Sequence, residues 1–332
     1  MSQEERAAKE GRHPKVSVCV ITYNQVRYIR QCLESIVNQR TAFDFEVLVG
    51  DDCSNDGTDA IVREFGDRYP RLVTPILRPR HIGGTQNLLR VYAQAKGELI
   101  AHMDGDDYML PEKLAIQAQE LDRNSDCSMC VHAIRQFDEA TSRYQTRSAH
   151  AFPRKGDLAF LLMHFPYFAH SSKMFRAECH DGLDAGVGEM LDCYFHVHHA
   201  SRGKILYLPQ LLGVYRVKAG MSTVSGPVMS PFRVPTPGML ELTIEAIEYA
   251  GRLGVAGELS VRAKAQTYFS YAYAHLIAGD SKTFQMLIKR SCETARLNGA
   301  QTFFDRCSAA PGVLSLLVRI RTWARRLLAA RA

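Results

Sequence analysis

The chain has 332 residues, 46% hydrophobic and 23% charged, a folded globular balance with length for roughly two domains. Residues 1–14 are polar and contain no apolar stretch, so no secretory signal is expected, and no run of 18 apolar residues offers a transmembrane helix. The net charge is +6, but Arg319, Arg321, Arg325, Arg326 and Arg331 crowd residues 313–332 without an acid; the remainder stands near +1, which argues against a nucleic-acid-binding face.

In chain order, Val16–Ile21 reads as a short buried strand. Val26, Ile29, Cys32, Leu33, Ile36 and Val37 then recur at helical spacing. Phe45–Val49 is a second strand, followed by a polar turn at Asp51–Gly57 and a helix over Ala60–Phe65. Leu72–Leu77 is a third strand, and Pro75 assigns it to a sheet edge because proline cannot donate to a ladder. Leu88, Leu89, Tyr92 and Ala95 mark a helix, Leu99–Met103 a strand. Pro111 suits the first turn of the helix carrying Leu114, Ala118 and Leu121. Cys127–Ala133 is again strand-like. Residues 150–225 are less regular, with a helix at Glu189–Ser201. Pro227–Pro237 is a break, Met239–Asn298 is helical, and a last helix begins near Pro311. The expected organisation is a polar tail (1–14), an α/β domain (15–225), a linker (226–238), a helical region (239–310) and a basic amphipathic helix (311–332).

Alternating strands and helices imply a mostly parallel sheet flanked by helices, whose ligands bind at the carboxyl ends of the strands. Polar clusters at Thr22–Asn24, Asp51–Asp56 and Asp104–Asp107 each follow a strand and should converge on one crevice. Asp104, Asp106 and Asp107 pack three carboxylates into four residues, which like-charge repulsion disfavours unless a cation binds. Oxygen donors beside phosphates suit Mg²⁺ or Mn²⁺; the competing reading is an aspartate-rich turn capping the next helix, with Asp107 as its structural member. Asp52–Arg63 imitates a calcium loop, but its twelfth position is arginine, not glutamate. A carboxylate at this strand end could accept a base N–H; turn chemistry alone would also explain the cluster. Gly83 and Gly84 open a helix whose N-terminus favours an anion such as diphosphate, with Arg78 and Arg80 nearby.

Nine scattered cysteines suit free thiols in a reducing compartment, and Cys127-x-x-Cys130 lacks the second ligand pair of a zinc site. His196, His198 and His199 read as a salt-bridged or solvated helix face rather than a metal site. Val313, Leu316, Leu317, Ile320, Trp323, Ala324, Leu327 and Leu328 form one apolar stripe, with four of the five arginines off it, a pattern suited to an anionic membrane surface. Leu314 and Val318 lie off the stripe and favour packing on the protein instead.

The ordered set Val18–Asn24, Phe45–Thr58, Gly83–Asn87 and Ala95–Asp107 resembles glycosyltransferase family 2, with the GT-A fold, over about residues 15–220. The resemblance implies an inverting transfer from a nucleotide-diphosphate sugar, UDP first among bases, to a cell-surface glycan or lipid-linked acceptor. It implies that Thr22, Tyr23 and Asp52 contact the nucleoside, with Asn24, Asp51, Gly83 and Asn87 in the same donor site. Asp104 and Asp106 would hold Mn²⁺ or Mg²⁺ against the diphosphate, and Asp192 would be the general base. Tyr215-Arg216-Val217 resembles the segment that closes the site. Two departures stand out: Leu191 precedes Asp192 where an acid is usual, leaving Glu189 in reserve, and Lys218 replaces a common histidine. The expected location is cytoplasmic, peripheral at the membrane's inner face. A non-catalytic nucleotide-sugar-binding scaffold is the competing class, against which the retained acidic set argues.

Overall fold

The computed structural model describes residues 13–139, 141–146, 152–165, 168–183, 192–217 and 238–318. Contacts divide the chain into two compact units, one built from residues 1–157, 168–192 and 198–220, the other from 158–167, 193–197 and 221–332.

The first unit is organised on a ten-stranded sheet. One half is wholly parallel, in the order β3 (Val73–Leu77), β2 (Phe45–Asp51), β1 (Val16–Thr22), β4 (Leu99–Asp104). Val16, Val18 and Val20 of β1 are fully buried, as are its intervening Ser17 and Cys19, the pattern of a strand covered on both faces. Helices α1 (Ile29–Val37), α2 (Thr58–Arg68) and α3 (Gly84–Tyr92) supply that cover. Helix α1 buries Ile29, Cys32, Leu33 and Ile36, one face at 3.6-residue spacing. Strand β3 lies at the edge, as Pro75 requires.

Beyond β4 the sheet becomes mixed. The short strands β5 (Tyr108–Met109), β7 (Arg143–Thr146) and β8 (Lys155–Gly156) attach to the longer β6 (Cys127–Asp138) and β10 (Lys204–Val217). Strand β9 (Met174–Arg176) runs antiparallel between β4 and β6, while β6 and β10 pair in parallel. The region that sequence left irregular therefore contributes a central strand of three residues and one of fourteen. Strand β6 outruns its expected end at Ala133 because β7 folds back on it through Asp138. Helix α4 (Lys113–Arg123) starts two residues after Pro111, since Glu112 is left-handed (φ 66°) and interrupts any earlier turn.

The second unit is helical. It contains α5 (Leu158–Met163) and the consecutive helices α7 (Met239–Arg252), α8 (Gly257–Ala278), α9 (Ser281–Thr294) and α10 (Gly299–Arg306), with a helix over 311–318. Tyr268, Leu276, Phe284, Leu287, Ile288 and Leu314 share its core. Asp280 and Asn298 cap α9 and α10 through Thr283 N–H and Gln301 N–H. Of the amphipathic stripe, Val313, Leu316 and Leu317 are half or more exposed, while Leu314 is buried and Val318 packs against this core. Residues 319–332, most of the 226–238 linker, Glu189, Leu191 and Lys218 lie outside the described residues. Among the described residues no helix is long and apolar enough to cross a membrane. Helix α6 (Asp192–Ala200) buries His196, His198 and His199, correcting the reading of a solvated face. His199 stacks on Phe175 at 3.9 Å and meets His180 Nδ1 at 3.2 Å. All nine cysteines are free thiols.

Candidate active site

In the parallel half, register alone brings the polar clusters together. Thr22 pairs with Asp51, and Ile21 with Asp104, so β1, β2 and β4 end at one level. Hydrogen bonds between the loops fix that convergence. Gly105 N–H donates to Ile21 O, Asp52 N–H to Thr22 O, and Asn24 N–H to Ser54 Oγ. A side chain at Gly105 would lie 2.5 Å from Gln25 Oε1 and 2.9 Å from Thr22 Oγ1, so only glycine lets the two loops meet.

At one end of the crevice, Asp51 and Asp52 are both buried. Ser54 donates to Asp51 through its N–H (3.0 Å) and its hydroxyl (2.5 Å), while burial pushes the Asp51 carboxyl up. Asp52 accepts Ile82 N–H at 2.8 Å and Gly83 N–H at 2.9 Å, with His81 Nδ1 at 2.9 Å. Within the chain, then, the anion at the start of α3 is the Asp52 carboxylate, held by the N–H groups expected to face a diphosphate. Gly83 adopts φ 90°, ψ 151°, a conformation that favours glycine. Tyr23 and His81 face each other, ring centroids 4.4 Å apart. Asn24 has a left-handed φ of 52° and accepts Asn55 N–H; Asn87 is buried, donating to Gly50 O and accepting Arg78 Nε–H. The two asparagine side chains brace the crevice walls. Thr22 is buried and donates to Gln25 Oε1 at 2.8 Å.

At the other end, β4 delivers Asp104. Its carboxylate meets His102 Nε2 at 3.1 Å and accepts the Ser171 hydroxyl at 2.8 Å. His102 is fully buried, with Nδ1 2.8 Å from the Tyr92 hydroxyl. His170 stacks flat on His102 at 3.7 Å, and its Nδ1 lies 2.9 Å from Asp192 Oδ1. Asp192, first residue of α6 and well exposed, thus joins Asp104 through a pair of stacked imidazoles. Burial and the Asp104 charge push the Asp106 carboxyl up to about 7; burial, with Asp106 and Asp104, raises Asp107 well above the usual range. Asp107 is fully buried and accepts Arg216 N–H at 2.8 Å; it does not cap α4, whose start has no side-chain cap bond. Arg216 locks the loop from below. It donates to Asp106 O at 2.5 Å and to Gln31 Oε1, pairs with Glu139 at 2.9 Å, and lies over the rings of Tyr28 and Tyr108.

A divalent cation fits this donor set. Asp104 and Asp106 offer oxygens; burial, and after it the Asp104 charge, raises the Asp106 carboxyl, a cost that a bound cation would offset. Among the described residues, the one group of three metal-binding side chains within 4.8 Å of one another is His102, Asp104 and His170. Sequence reasoning missed His102, His170 and Ser171. The signal for His102 was there, since residues two apart on a strand share a face, which puts His102 beside Asp104. Nothing local announces His170 and Ser171, which arrive on a 3₁₀ turn (His170–Ser172) from 67 residues further along the chain.

The parallel half-sheet, its mixed extension and the acidic crevice at the strand ends define the GT-A class of α/β transferases. The chain belongs to glycosyl transferase family 2, whose profile matches residues 17–183. It is 37% identical over 202 residues to the uncharacterized Mycobacterium tuberculosis protein Rv1520, spanning 60% of this chain but only 58% of that relative's length. The abequosyltransferase RfbV of Salmonella typhimurium is 30% identical over 119 residues, 35% of either chain. In fold, it is similar to S. aureus TarS 1-349 in complex with UDP-GlcNAc (TM-score 0.62, 18% identity, 85% of this chain and 82% of that one). The mannosyltransferase PcManGT of Pyrobaculum calidifontis, in complex with GDP-Man and Mn²⁺, is similar at TM-score 0.55 and 17% identity, over 92% and 88%. At such identities the likeness is one of fold.

Proposed function

We propose that the protein transfers a sugar from a nucleotide-diphosphate donor, a UDP-sugar in the first instance, to a hydroxyl of a cell-surface glycan or lipid-linked acceptor, with inversion at the anomeric carbon. The observation that carries this reading is the joining of Asp104 to Asp192, residues 88 apart in sequence, through the stacked His102 and His170. A leaving-group site and an exposed carboxylate then share one crevice, the two ends that a single displacement needs.

In this reading the nucleoside lies against Tyr23 and His81, near Thr22 and Asp52, and the diphosphate lies toward Asp104 and Asp106. These two carboxylates would hold Mn²⁺ or Mg²⁺, which would supply positive charge to the departing diphosphate. An acceptor hydroxyl has a pKa far above 7, so its proton must leave as the new bond forms. Asp192 takes it: a well-exposed carboxylate at a helix start can meet an incoming acceptor. No covalent nucleophile is required. The enzyme works at the cytoplasmic face of a membrane, which residues 313–332 touch peripherally; exposed Val313, Leu316 and Leu317 and the arginines beyond them support that contact.

The test is a thermal-shift screen of UDP-, dTDP- and GDP-sugars with and without Mn²⁺, since a ligand that binds the native state raises its melting temperature. The donor should stabilise strongly only with the metal. Asp192→Asn should keep donor affinity while turnover falls roughly 10²–10⁴-fold, the usual worth of a general base. Metal-independent donor binding would overturn the Asp104–Asp106 assignment, and undiminished turnover in Asp192→Asn the base.

A further inference from the structure

We infer that His170 is a positioning residue for the sugar-transfer step: it orients the Asp192 carboxylate. The inference rests on the reading of Asp192 as the base.

An exposed carboxylate on a helix start is free to rotate, and each orientation it samples away from the acceptor hydroxyl lowers the rate. Here one oxygen is tied. An ionised carboxylate only accepts hydrogen bonds, so the 2.9 Å contact requires His170 Nδ1 to carry the proton and donate it to Asp192 Oδ1. The ring cannot swing. His170 is 4% exposed and lies nearly parallel to His102, 15° between planes at 3.7 Å. His102 is itself fixed at both nitrogens, by Tyr92 Oη at 2.8 Å and Asp104 Oδ1 at 3.1 Å. The chain of contacts ends on the carboxylate assigned to the metal, so the base is aligned against the same frame as the leaving group. In the step, Oδ2 of Asp192 takes the acceptor proton while the acceptor oxygen bonds to the anomeric carbon. The bond from that carbon to the diphosphate oxygen breaks, and its electron pair leaves with the diphosphate.

The experiment compares the full-length parent with His170→Asn, His170→Phe, Asp192→Asn and the double variant His170→Phe/Asp192→Asn, with donor varied up to saturation and Mn²⁺ present. Asparagine Nδ2 stands close to where Nδ1 of histidine stood and keeps the donor; phenylalanine keeps the stack and loses it. His170→Phe should lower kcat by roughly 10–100-fold at unchanged donor KM, since misplacement of a reacting group costs on that order. His170→Asn should recover most of the loss, and His170→Phe should cost nothing further once Asp192 is asparagine. Where the phenylalanine variant does not fold, His170→Gln, whose amide lies nearer Nε2, takes its place. A raised donor KM, or an additive loss in the double variant, would overturn the inference, because His170 would then act on donor binding or on the fold. So would parental kcat in His170→Phe while Asp192→Asn is dead, leaving the base in place. An active Asp192→Asn would remove the base, and this inference with it.

Discussion

Arg216 is the test of whether the acidic loop is held rigidly enough to serve as a metal site. Its guanidinium is 7% exposed and holds three acceptors: Glu139 at 2.9 Å, the Asp106 carbonyl at 2.5 Å, and Gln31. Two aromatic rings cover it at 5.0 and 5.1 Å. Removing one partner of a buried pair costs about 3–5 kcal/mol. Glu139 keeps 24% of its side chain in solvent, which argues for the lower end, about 3 kcal/mol in Arg216→Ala. Arg216→Lys keeps the charge and its pairing with Glu139, but one ammonium cannot span three acceptors, so about half that loss is expected. Because the two units need not unfold together, a global melt is the wrong assay. Amide hydrogen exchange over 104–109 and 213–217 reads the local cost. A loss of about 3 kcal/mol corresponds to roughly 10²-fold faster exchange there, with the helical unit unchanged. Donor affinity in the presence of Mn²⁺ should fall in parallel, because the Asp106 backbone is no longer held. Exchange within about threefold of the parent would refute the reasoning, since the contacts would then carry no net energy.

Asp106→Ala should leave the fold intact, abolish transfer and remove the Mn²⁺ dependence of donor binding, measured by calorimetry with and without the ion. Lys113 gives a pH signature: it is fully buried, its Nζ has no hydrogen-bond partner among the described residues, and burial lowers its pKa to about 7. The native state therefore binds fewer protons than the unfolded chain between about pH 7 and the ordinary value of 10.5, and stability rises with pH through that window. Lys113→Met should lessen the rise, Lys173 with its equally lowered pKa keeping the rest, and stabilise the protein at neutral pH; an unchanged slope in urea titrations at pH 7 and 9.5 would remove Lys113 as a source. Leu316→Gln with Leu317→Gln should weaken binding to anionic liposomes by at least about tenfold without lowering the melting temperature, because both side chains are half-exposed and each buried leucine is worth about 1.5–3 kcal/mol. Equal binding by parent and variant would point to the Leu314 and Val318 packing as the helix's only role.

Much of the first unit was legible because its signals are local. The strand runs Val16–Thr22 and Phe45–Asp51 are mostly apolar and β-branched, the polar residues at their ends mark where the crevice lies, and Pro75 alone assigns an edge. The motif order from Val18 to Asp107 was enough to identify the family. The site's second half was not legible in the same way. Strand β9 has three residues and takes its place from ladders to β4 and β6 on either side, a non-local pairing with no periodicity of its own. The histidines of α6 looked solvated because polar residues at helical spacing usually face water; buried rings around them make them part of the core. The anion expected at the start of α3 is an aspartate of the chain itself, a contact between residues 52 and 83 that only folding discloses.

By itself, then, the order of residues determined the strand–helix alternation, the family and the carboxylates at the strand ends, because backbone periodicity and short motifs are encoded within a few neighbouring positions. Only the tertiary structure decided which side chains complete the site. Asp104 and Asp192 meet through His102 and His170, and Arg216 reaches beneath the Asp106 loop from 110 residues away. Those contacts depend on the register of β4, β9 and β10 and on the position of a 3₁₀ turn, quantities fixed by the packing of the whole sheet and by no local sequence rule.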